Sequence, residues 1–328
     1  MKTLTVSCGD INGIGPEIIL KSLNKFSGRS DSEIILVIPE NVFKLTSKLV
    51  SPEFPFSRFS SSDKRSSGVK VFFLKDAEID VGEPTETSGA TAFKSLDIAI
   101  SLIESGRAEG LVTAPLSKEA FALAGVNYNG HTDLLAERSG TKDYMMTFLS
   151  EEFKTGLATV HVPIVEVDAL ITRDLLISKL NVAVNSLRND FSINSPKIAA
   201  LGLNPHAGEN GNIGKKEVEV ILPAVNEFNA DSGLSVAGPF VPDAFFATRK
   251  YLEFDFVLAM YHDQALIPFK MINFNSGVNF TAGLPYVRTS PDHGTAFDIA
   301  GKGAADESSF TEALIWAEKI LANRNEKN

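Results

Sequence analysis

Residues Phe256-Val257-Leu258-Ala259-Met260, followed directly by Tyr261-His262-Asp263-Gln264, are the stretch that decides the fold. The first five residues form an uninterrupted apolar run, which is typical of a strand covered on both faces in a parallel sheet. The polar residues come where that strand should end, and open α/β sheets bind their ligands at that edge. The stretch therefore predicts an α/β fold with a functional site at the carboxyl ends of its strands.

The same pattern, an apolar run followed by a histidine, occurs twice more. Residues 157–160 lead directly to His161, and residues 198–203 are followed by Asn204-Pro205-His206. Because helix-like segments separate these runs, we predict a largely parallel sheet built by βα alternation. Further strand-like runs lie at residues 3–7, 33–38 and 111–113.

Two polar turns precede predicted helices. Residues 9–17 read Gly-Asp-Ile-Asn-Gly-Ile-Gly-Pro-Glu, and this turn either cradles an anion at a helix N-terminus or uses its glycines for geometry alone. Gly130-His131-Thr132 precedes another helix, with Thr132 as its predicted N-cap. Residues 52–68 are rich in Ser, Pro, Lys and Arg, and we predict an exposed loop there.

The composition limits the class of protein. A chain of 328 residues is too long for one comfortable core, so two domains are expected. A net charge of -10 argues against broad nucleic-acid binding, and the lack of an apolar span of about 20 residues argues against a membrane segment. Cys8 is the only cysteine and is predicted to be a buried strand thiol. We expect a cytoplasmic enzyme.

The three histidines that follow predicted strands point to a metal. His161, His206 and His262 are three of the chain's five histidines. Because the carboxyl ends of parallel strands meet at one edge, these imidazoles can converge on one ion. Three neutral imidazoles with open positions suit a divalent catalytic ion such as zinc.

Two cations and an amide follow the third histidine. Lys270, Asn279 and Arg288 lie in otherwise apolar, glycine-rich surroundings. Either the two cations are solvated surface charges, or they bind the carboxylate or phosphate of an anionic substrate. Their surroundings favour the second interpretation.

At this point the chain resembles a known family, the PdxA family of 4-hydroxythreonine-4-phosphate dehydrogenases in vitamin B6 biosynthesis. The motifs that carry the resemblance span nearly the whole chain and keep the family's order. They are residues 9–10, 13–17, 130–132, 159–163, 204–209, 261–264 and 279–303.

The resemblance implies two three-layer α/β/α domains with a cleft between them, as in isocitrate and isopropylmalate dehydrogenases. Residues 1–128 and 285–328 would form a discontinuous cofactor-binding domain, and residues 129–284 a domain for substrate, metal and dimerisation. Residues 293–303 look like the adenine-side loop of those enzymes, which bind NAD or NADP without a GxGxxG motif. The implied cofactor-binding residues are His293, Gly294, Thr295, Ala296, Asp298 and Gly301.

The resemblance also implies roles for the polar residues. One divalent ion per subunit (Zn, Mg or Co) would be held by His161, His206 and His262, with His262 supplied by the neighbouring subunit of a homodimer with shared active sites. The residues that would bind a small phosphorylated hydroxy acid are His131, Thr132, Lys270, Asn279 and Arg288. Asp243 and Lys118 are the candidate catalytic residues.

The implied reaction is the NAD(P)-dependent oxidation of 4-phosphooxy-L-threonine to 2-amino-3-oxo-4-phosphooxybutanoate, which loses CO2 to give 3-amino-2-oxopropyl phosphate. A dehydrogenase of D-threonate or D-erythronate 4-phosphate is the alternative. A metal-dependent phosphate-ester hydrolase is an alternative from another class, but it leaves residues 293–303 without a purpose.

Overall fold

The computed structural model describes residues 1–128 and 130–326. The strands are β1 (Thr3–Ser7), β2 (Glu33–Pro39), β3 (Phe56–Arg58), β4 (Gly68–Leu74), β5 (Gly110–Thr113), β6 (Met145–Leu149), β7 (Lys154–Leu157), β8 (Lys197–Leu201), β9 (Ser235–Phe240), β10 (Phe256–Ala259), β11 (Val278–Ala282) and β12 (Val287–Pro291). The α-helices are α1 (Gly15–Phe26), α2 (Glu40–Leu49), α3 (Glu86–Glu104), α4 (Lys118–Leu123), α5 (His131–Ser139), α6 (Ile164–Leu170), α7 (Arg173–Asn189), α8 (Leu222–Ser232), α9 (Pro242–Ala247), α10 (His262–Asn273) and α11 (Ser308–Asn325).

The chain divides into two compact units. Unit 1 comprises residues 1–139 and 284–326, and unit 2 comprises residues 140–283. The first boundary lies after α5, whereas the predicted boundary at residue 128 precedes that helix. The cofactor, metal and dimerisation roles given to the two parts of the chain stay predictions.

Unit 1 contains six parallel strands in the order β3-β4-β2-β1-β5-β12. Helix α3 packs against β1 and β2, while α11 packs against β5 and β12. Leu96, Ala99 and Ile100 of α3 share an apolar cluster with Leu111 of β5 and with Tyr286. This packing explains why every residue of β1, β2, β5 and β12 is buried.

The amino ends of these strands carry a buried ion network. Glu33, at the start of β2, is fully buried and accepts hydrogen bonds from both terminal nitrogens of Arg107. Lys70 Nζ lies 3.1 Å from Glu33 Oε1. Burial raises the pKa of the Glu33 carboxyl, but the hydrogen bonds from Arg107 and Lys70 outweigh it and hold that pKa below its usual value. The positive charges of Arg107 and Lys70 therefore compensate the buried negative charge of Glu33.

Unit 2 contains the strand order β11-β6-β7-β10-β8-β9. Strands β11, β6 and β7 pair antiparallel, and β7, β10, β8 and β9 pair parallel. Its core is rich in aromatic rings, with the Phe153 ring centroid 4.9 Å from that of Tyr251 and 5.4 Å from that of Phe269. The apolar run that predicted the fold is β10, and it is buried throughout.

Part of the sequence-based prediction needs correction. Residues 52–68 are not wholly a loop, because they contain the short strand β3, which pairs with β4 through Phe56, Ser57 and Arg58. This strand is exposed, so it lacks the apolar pattern by which strands are recognised.

Cys8, the residue after β1, is buried as predicted. Burial raises the pKa of its thiol to about 12, so the thiolate that would act as a nucleophile is not formed at neutral pH. Among the residues described, none of the helices combines the length and the apolarity that crossing a bilayer requires.

Candidate active site

Two of the predicted metal ligands lie side by side in unit 2. His161 follows β7 and His262 follows β10, and their ring centroids are 5.8 Å apart. His262 Nδ1 lies 2.7 Å from Asp263 Oδ1, and such a carboxylate partner fixes an imidazole and leaves its Nε2 for a metal. The two rings line a cavity of about 350 Å3 together with Thr159 and Tyr261.

Hydrogen bonds at the carboxyl ends of β7 and β10 hold together the segments that carry these two rings. Ala158 N donates to Ala259 O at 2.8 Å, and Thr159 Oγ1 donates to Met260 O at 2.7 Å. His161 itself has a φ of 53°, a conformation that is uncommon for residues other than glycine. Strain of this kind is typical of functional positions.

His206 lies in an unusual turn after β8. Residues 206–210 all have left-handed backbone angles, with φ between 42° and 76°, and each residue other than glycine costs about 1–2 kcal/mol in that conformation. The exposed His206 lines a cavity of about 430 Å3 with Glu209, Asn210 and Pro239. It does not share the cavity described for His161 and His262.

Within one chain the structure brings His161 and His262 together, and the convergence of all three histidines on one ion stays a prediction. Among residues 1–128 and 130–326, the structure has no group of three or more His, Cys, Asp or Glu side chains arranged to hold a metal ion. His262 lies beside His161 of its own chain, and its contribution to the site of a neighbouring subunit stays a prediction. The donor chemistry of the imidazoles fits a divalent ion, and the assignment of the three ligands stays a prediction.

The helices that follow the two paired histidines expose apolar side chains. Ile164 and Val165 at the start of α6 are 69% and 82% exposed. On α10, Ile267 and Met271 are 59% and 81% exposed, and Phe274, the C-cap residue of that helix, is 82% exposed. Their spacing of four and three residues places them on one helical face, next to the histidine pair in sequence.

The other predicted residues of unit 2 lie on separate elements. Lys270 is exposed on α10, and Asp243 is exposed in the first turn of α9. Asn279 is on β11, and its buried Oδ1 has no hydrogen-bond partner among the described residues. A buried amide oxygen normally has a donor, so Asn279 is suited to accept a hydrogen bond from a ligand.

In unit 1, Arg288 is the most deeply buried of the predicted substrate-binding residues. It lies on β12, is 2% exposed, and its Nη2 donates to Thr113 Oγ1 at 2.8 Å. Burial lowers the pKa of this guanidinium to about 10 and raises the pKa of the nearby Tyr286 phenol to about 12. A buried cation of this kind is prepared for an anionic ligand.

His131 is the first residue of α5 and lies near the Arg288 charge. Burial and that charge together hold the pKa of His131 well below 6.5, so its imidazole is neutral at pH 7. The prediction that Thr132 caps α5 is wrong, because the helix already includes His131. Lys118 begins α4 and is exposed, and the preceding Ser117 caps that helix by accepting a hydrogen bond from Ala120 N.

The predicted cofactor loop is held by the turn between β1 and α1. Ile14 N donates to Thr295 O at 3.0 Å, and a Cβ on Gly13 would lie only 2.8 Å from the same oxygen. Gly9 is equally constrained, since a Cβ there would lie 2.2 Å from Pro115 O. These contacts support the interpretation that the glycines of this turn serve geometry.

Further contacts anchor the end of the loop. Lys21 Nζ donates to the carbonyl oxygens of Gly303 and Ala305 at 2.9 and 2.7 Å. Glu17 Oε1 accepts from Ala305 N at 2.9 Å and lies 2.8 Å from Lys21 Nζ. Lys302 Nζ donates to Asp298 O at 2.6 Å.

An apolar cavity of about 420 Å3 lies against this loop in unit 1. Of the six predicted cofactor-binding residues, Gly301 lines it. Its apolar lining comes from Ile11, Val42, Leu45, Leu49, Ile79, Val81 and Ala300. A cavity of this size and lining is of the kind that binds a flat heterocycle.

Comparison with known proteins gives a consistent picture. The family model described as pyridoxal phosphate biosynthetic protein PdxA matches residues 30–317. A 4-hydroxythreonine-4-phosphate dehydrogenase from Sulfurihydrogenibium sp. is 41% identical over 328 residues, covering 100% of both chains. The chain belongs to the PdxA family.

Solved structures agree with this membership. A 4-hydroxythreonine-4-phosphate dehydrogenase from Klebsiella pneumoniae is 36% identical, with a TM-score of 0.85 over 98% of this chain and 99% of that one. An isocitrate dehydrogenase from Methylococcus capsulatus is 15% identical, with a TM-score of 0.51 over 99% of this chain and 87% of that one. This second likeness concerns the fold alone and confirms the predicted fold class.

For this PdxA family member, sequence reasoning missed several residues that the structure brings to the site. Thr113 belongs to no recognisable sequence motif, and its hydrogen bond with Arg288 joins residues that are far apart in the chain. The apolar residues of the 420 Å3 cavity look like ordinary core residues in sequence. Asp263, next to His262, was visible in the quoted motif as a carboxylate adjacent to a candidate ligand.

Proposed function

We propose that this chain is an oxidoreductase that oxidises 4-phosphooxy-L-threonine with NAD or NADP in the biosynthesis of vitamin B6. The observation that carries the proposal is full-length likeness to dehydrogenases of that name in a chain that also pairs His161 with His262. The proposed first product is 2-amino-3-oxo-4-phosphooxybutanoate, a β-keto acid that then loses CO2.

The residues of the chain have distinct proposed tasks. In unit 1, Arg288 and the neutral His131 would bind the substrate phosphate through charge-assisted and neutral hydrogen bonds. Thr132 would contribute a hydroxyl. In unit 2, Asn279 would use its buried amide oxygen to accept from the substrate, and Lys270 would add a positive charge.

A divalent ion, when bound, would polarise the substrate hydroxyl, and the nicotinamide would accept the hydride. His161 and His262 would hold the ion, with Asp263 orienting the second imidazole. Imidazole ligands favour Zn or Co over Mg. The hydroxyl proton would pass to a base, for which Lys118 and Asp243 are the candidates.

The cofactor would bind in unit 1 beside residues 293–303. Its adenine ring would lie in the apolar cavity that Gly301 and Val81 line. His293, Gly294, Thr295, Ala296 and Asp298 lie on the same anchored segment and would contact the rest of the nucleotide. The proposed cofactor belongs to the soluble cytoplasmic pool, so we place the enzyme in the cytoplasm.

We further propose a homodimer in which His206 of the partner subunit completes the ligand set. Two observations support this arrangement: His206 does not share the cavity described for the other two histidines, and the exposed apolar faces of α6 and α10 follow those histidines directly. Covering such faces is a common role of a dimer interface.

Mixed dimers test which histidine crosses between subunits. We expect a dimer of His161→Ala with His206→Ala chains to recover activity, because one of its two sites receives three intact ligands. A dimer of His161→Ala with His262→Ala chains should stay inactive, since each site lacks a ligand. The reverse pattern would assign the crossing ligand to His262.

An assay of NADH formation tests the reaction itself. The purified enzyme is given 4-phosphooxy-L-threonine, D-threonate 4-phosphate or D-erythronate 4-phosphate, each with NAD and with NADP. We expect reduction with the first substrate and release of 3-amino-2-oxopropyl phosphate. Activity with only the sugar-acid phosphates would overturn the vitamin B6 assignment, and phosphate release without NADH would indicate a hydrolase.

A further inference from the structure

The turn that carries His206 is closed around one buried carboxylate. Glu217 is 2% exposed, and its Oε1 accepts hydrogen bonds from Leu203 N at 2.7 Å and from Asn204 N at 2.6 Å. Its Oε2 accepts from Asn204 Nδ2 at 3.0 Å. Glu217, which follows His206 by eleven residues, thus fixes three hydrogen-bond donors on Leu203 and Asn204, just before His206 in the chain.

Two glycines let the turn wrap closely around this group. A Cβ on Gly208 would lie 2.5 Å from Glu217 Oε2, and a Cβ on Gly214 would lie 2.4 Å from Asn204 Nδ2. Gly208 also has a φ of 76°. The close approach to Glu217 and the left-handed backbone therefore occur at the same residue.

The left-handed residues 206–210 depend on such an anchor. His206, Ala207, Glu209 and Asn210 all carry a Cβ, which disfavours this conformation. A strained run persists only when its surroundings determine it. Glu217 also begins a π-helical turn, Glu217–Ile221, a feature that occurs frequently at functional sites.

We propose that Glu217 is a positioning residue that sets the direction of His206 through the turn between them. This inference rests on the proposed role of His206 as a metal ligand. Glu217 accepts hydrogen bonds from Leu203 and Asn204, which precede the left-handed residues, and its Oε2 faces Gly208 among them. The carboxylate therefore fixes where the His206 imidazole lies. Groups that orient a metal ligand typically change metal affinity about 10- to 100-fold when removed.

The experiment compares Glu217→Ala with Glu217→Gln in the full-length enzyme. The amide oxygen of Gln can still accept from the two backbone donors. The side-chain amide of Asn204 can rotate so that its oxygen accepts a hydrogen bond from the NH2 group of Gln. We expect Glu217→Ala to weaken Co2+ binding about 10- to 100-fold and Glu217→Gln to restore most of that affinity. Glu219→Ala, at an exposed position in the same turn, is the matched control and should bind as the wild type does.

A second readout needs neither metal nor turnover. In the metal-free protein, hydrogen exchange of residues 203–213 should accelerate in Glu217→Ala, while far-UV circular dichroism stays that of the wild type. Gly208→Ala should accelerate hydrogen exchange of the same residues, because its added Cβ would disturb the contact between residue 208 and the Glu217 carboxylate. Gly233→Ala is its control, because Gly233 has a φ of 67° and nothing within 4 Å of a Cβ there.

The two possible failures are distinguishable. If Glu217→Ala binds Co2+ as tightly as the wild type while His206→Ala does not, the role of Glu217 is overturned and the ligand assignment stands. If His206→Ala itself binds Co2+ normally, the proposed function of His206 is wrong. Unchanged hydrogen exchange in both Glu217→Ala and Gly208→Ala would also overturn the inference.

Discussion

Arg107 and Arg288 lie in the same unit but have opposite electrostatic surroundings. Glu33 accepts hydrogen bonds from Arg107, and these bonds raise the pKa of that guanidinium. Burial lowers the pKa of Arg288 to about 10. The Glu33 carboxylate stabilises the charged form of Arg107, whereas burial disfavours the charged form of Arg288, which a bound anion would stabilise. The difference separates a cation that supports the structure from one prepared for a ligand.

The largest expected effect comes from removing the carboxylate of the first region. Glu33→Ala would leave Arg107 and Lys70 without their shared partner, and breaking a buried ion pair in this way costs about 3–5 kcal/mol. Urea unfolding measures the loss. Glu40→Ala, which removes a partly exposed carboxylate beside Lys44 and Arg58, should leave stability almost unchanged. A similar loss for both variants would contradict the comparison.

The next effect is on substrate binding. We expect Arg288→Met to raise the KM for the phosphorylated substrate about 10- to 100-fold, because a hydrogen bond to a charged group contributes about 1.5–3 kcal/mol. Its unfolding free energy should fall less than that of Arg107→Met, because burial already disfavours the charged form of Arg288. Arg107→Met is the mirror control, with reduced stability and unchanged KM. Equal KM values for the two variants would remove the distinction between the arginines.

The pH dependence of stability should report the first region. The folded-state pKa of Glu33 is below its ordinary value of 4.5, so its contribution is present above that pH and is lost as the pH falls through the folded pKa. Glu33→Gln should therefore lose less stability than the wild type between pH 5 and pH 3. Urea midpoints measured across this range give the slopes. A slope equal to that of the wild type would show that Glu33 does not titrate as described.

The smallest expected effect is a change in the pKa of His131. It lies well below 6.5 because of burial and the charge of Arg288, and a bound phosphate should move it upward, because its negative charge offsets that of Arg288 and stabilises the imidazolium. NMR titration with and without inorganic phosphate measures the change, and His131→Gln assigns the signal. In Arg288→Met the pKa without phosphate should already be higher. No movement at saturating phosphate would place the anion elsewhere.

Sequence reasoning succeeded where burial alone determines structure. The apolar run 256–260 was recognisable as a strand, and β10 is buried on both faces as the run required. Cys8 was predicted to be buried for the same reason, and it is. In both cases a local pattern contains the physical cause of the structure.

The rest depends on contacts between residues far apart in the chain. The pairing of His161 with His262 follows from the Thr159–Met260 hydrogen bond, which spans 101 residues. The left-handed turn at His206 could not be predicted, since Ala207 and Glu209 ordinarily avoid that conformation. Arg288 is a charged residue inside a strand, and the residues around it in the sequence do not show whether its side chain is buried or exposed.

The buried Cys8 can serve as a natural probe of transient unfolding around β1. Its thiol is the chain's single cysteine and ionises only near pH 12, so a maleimide dye will react only when β1 becomes exposed to solvent. Labelling rates then measure transient opening of unit 1 without any engineered probe. For the same reason, one cysteine introduced on the surface can be modified selectively in the native enzyme.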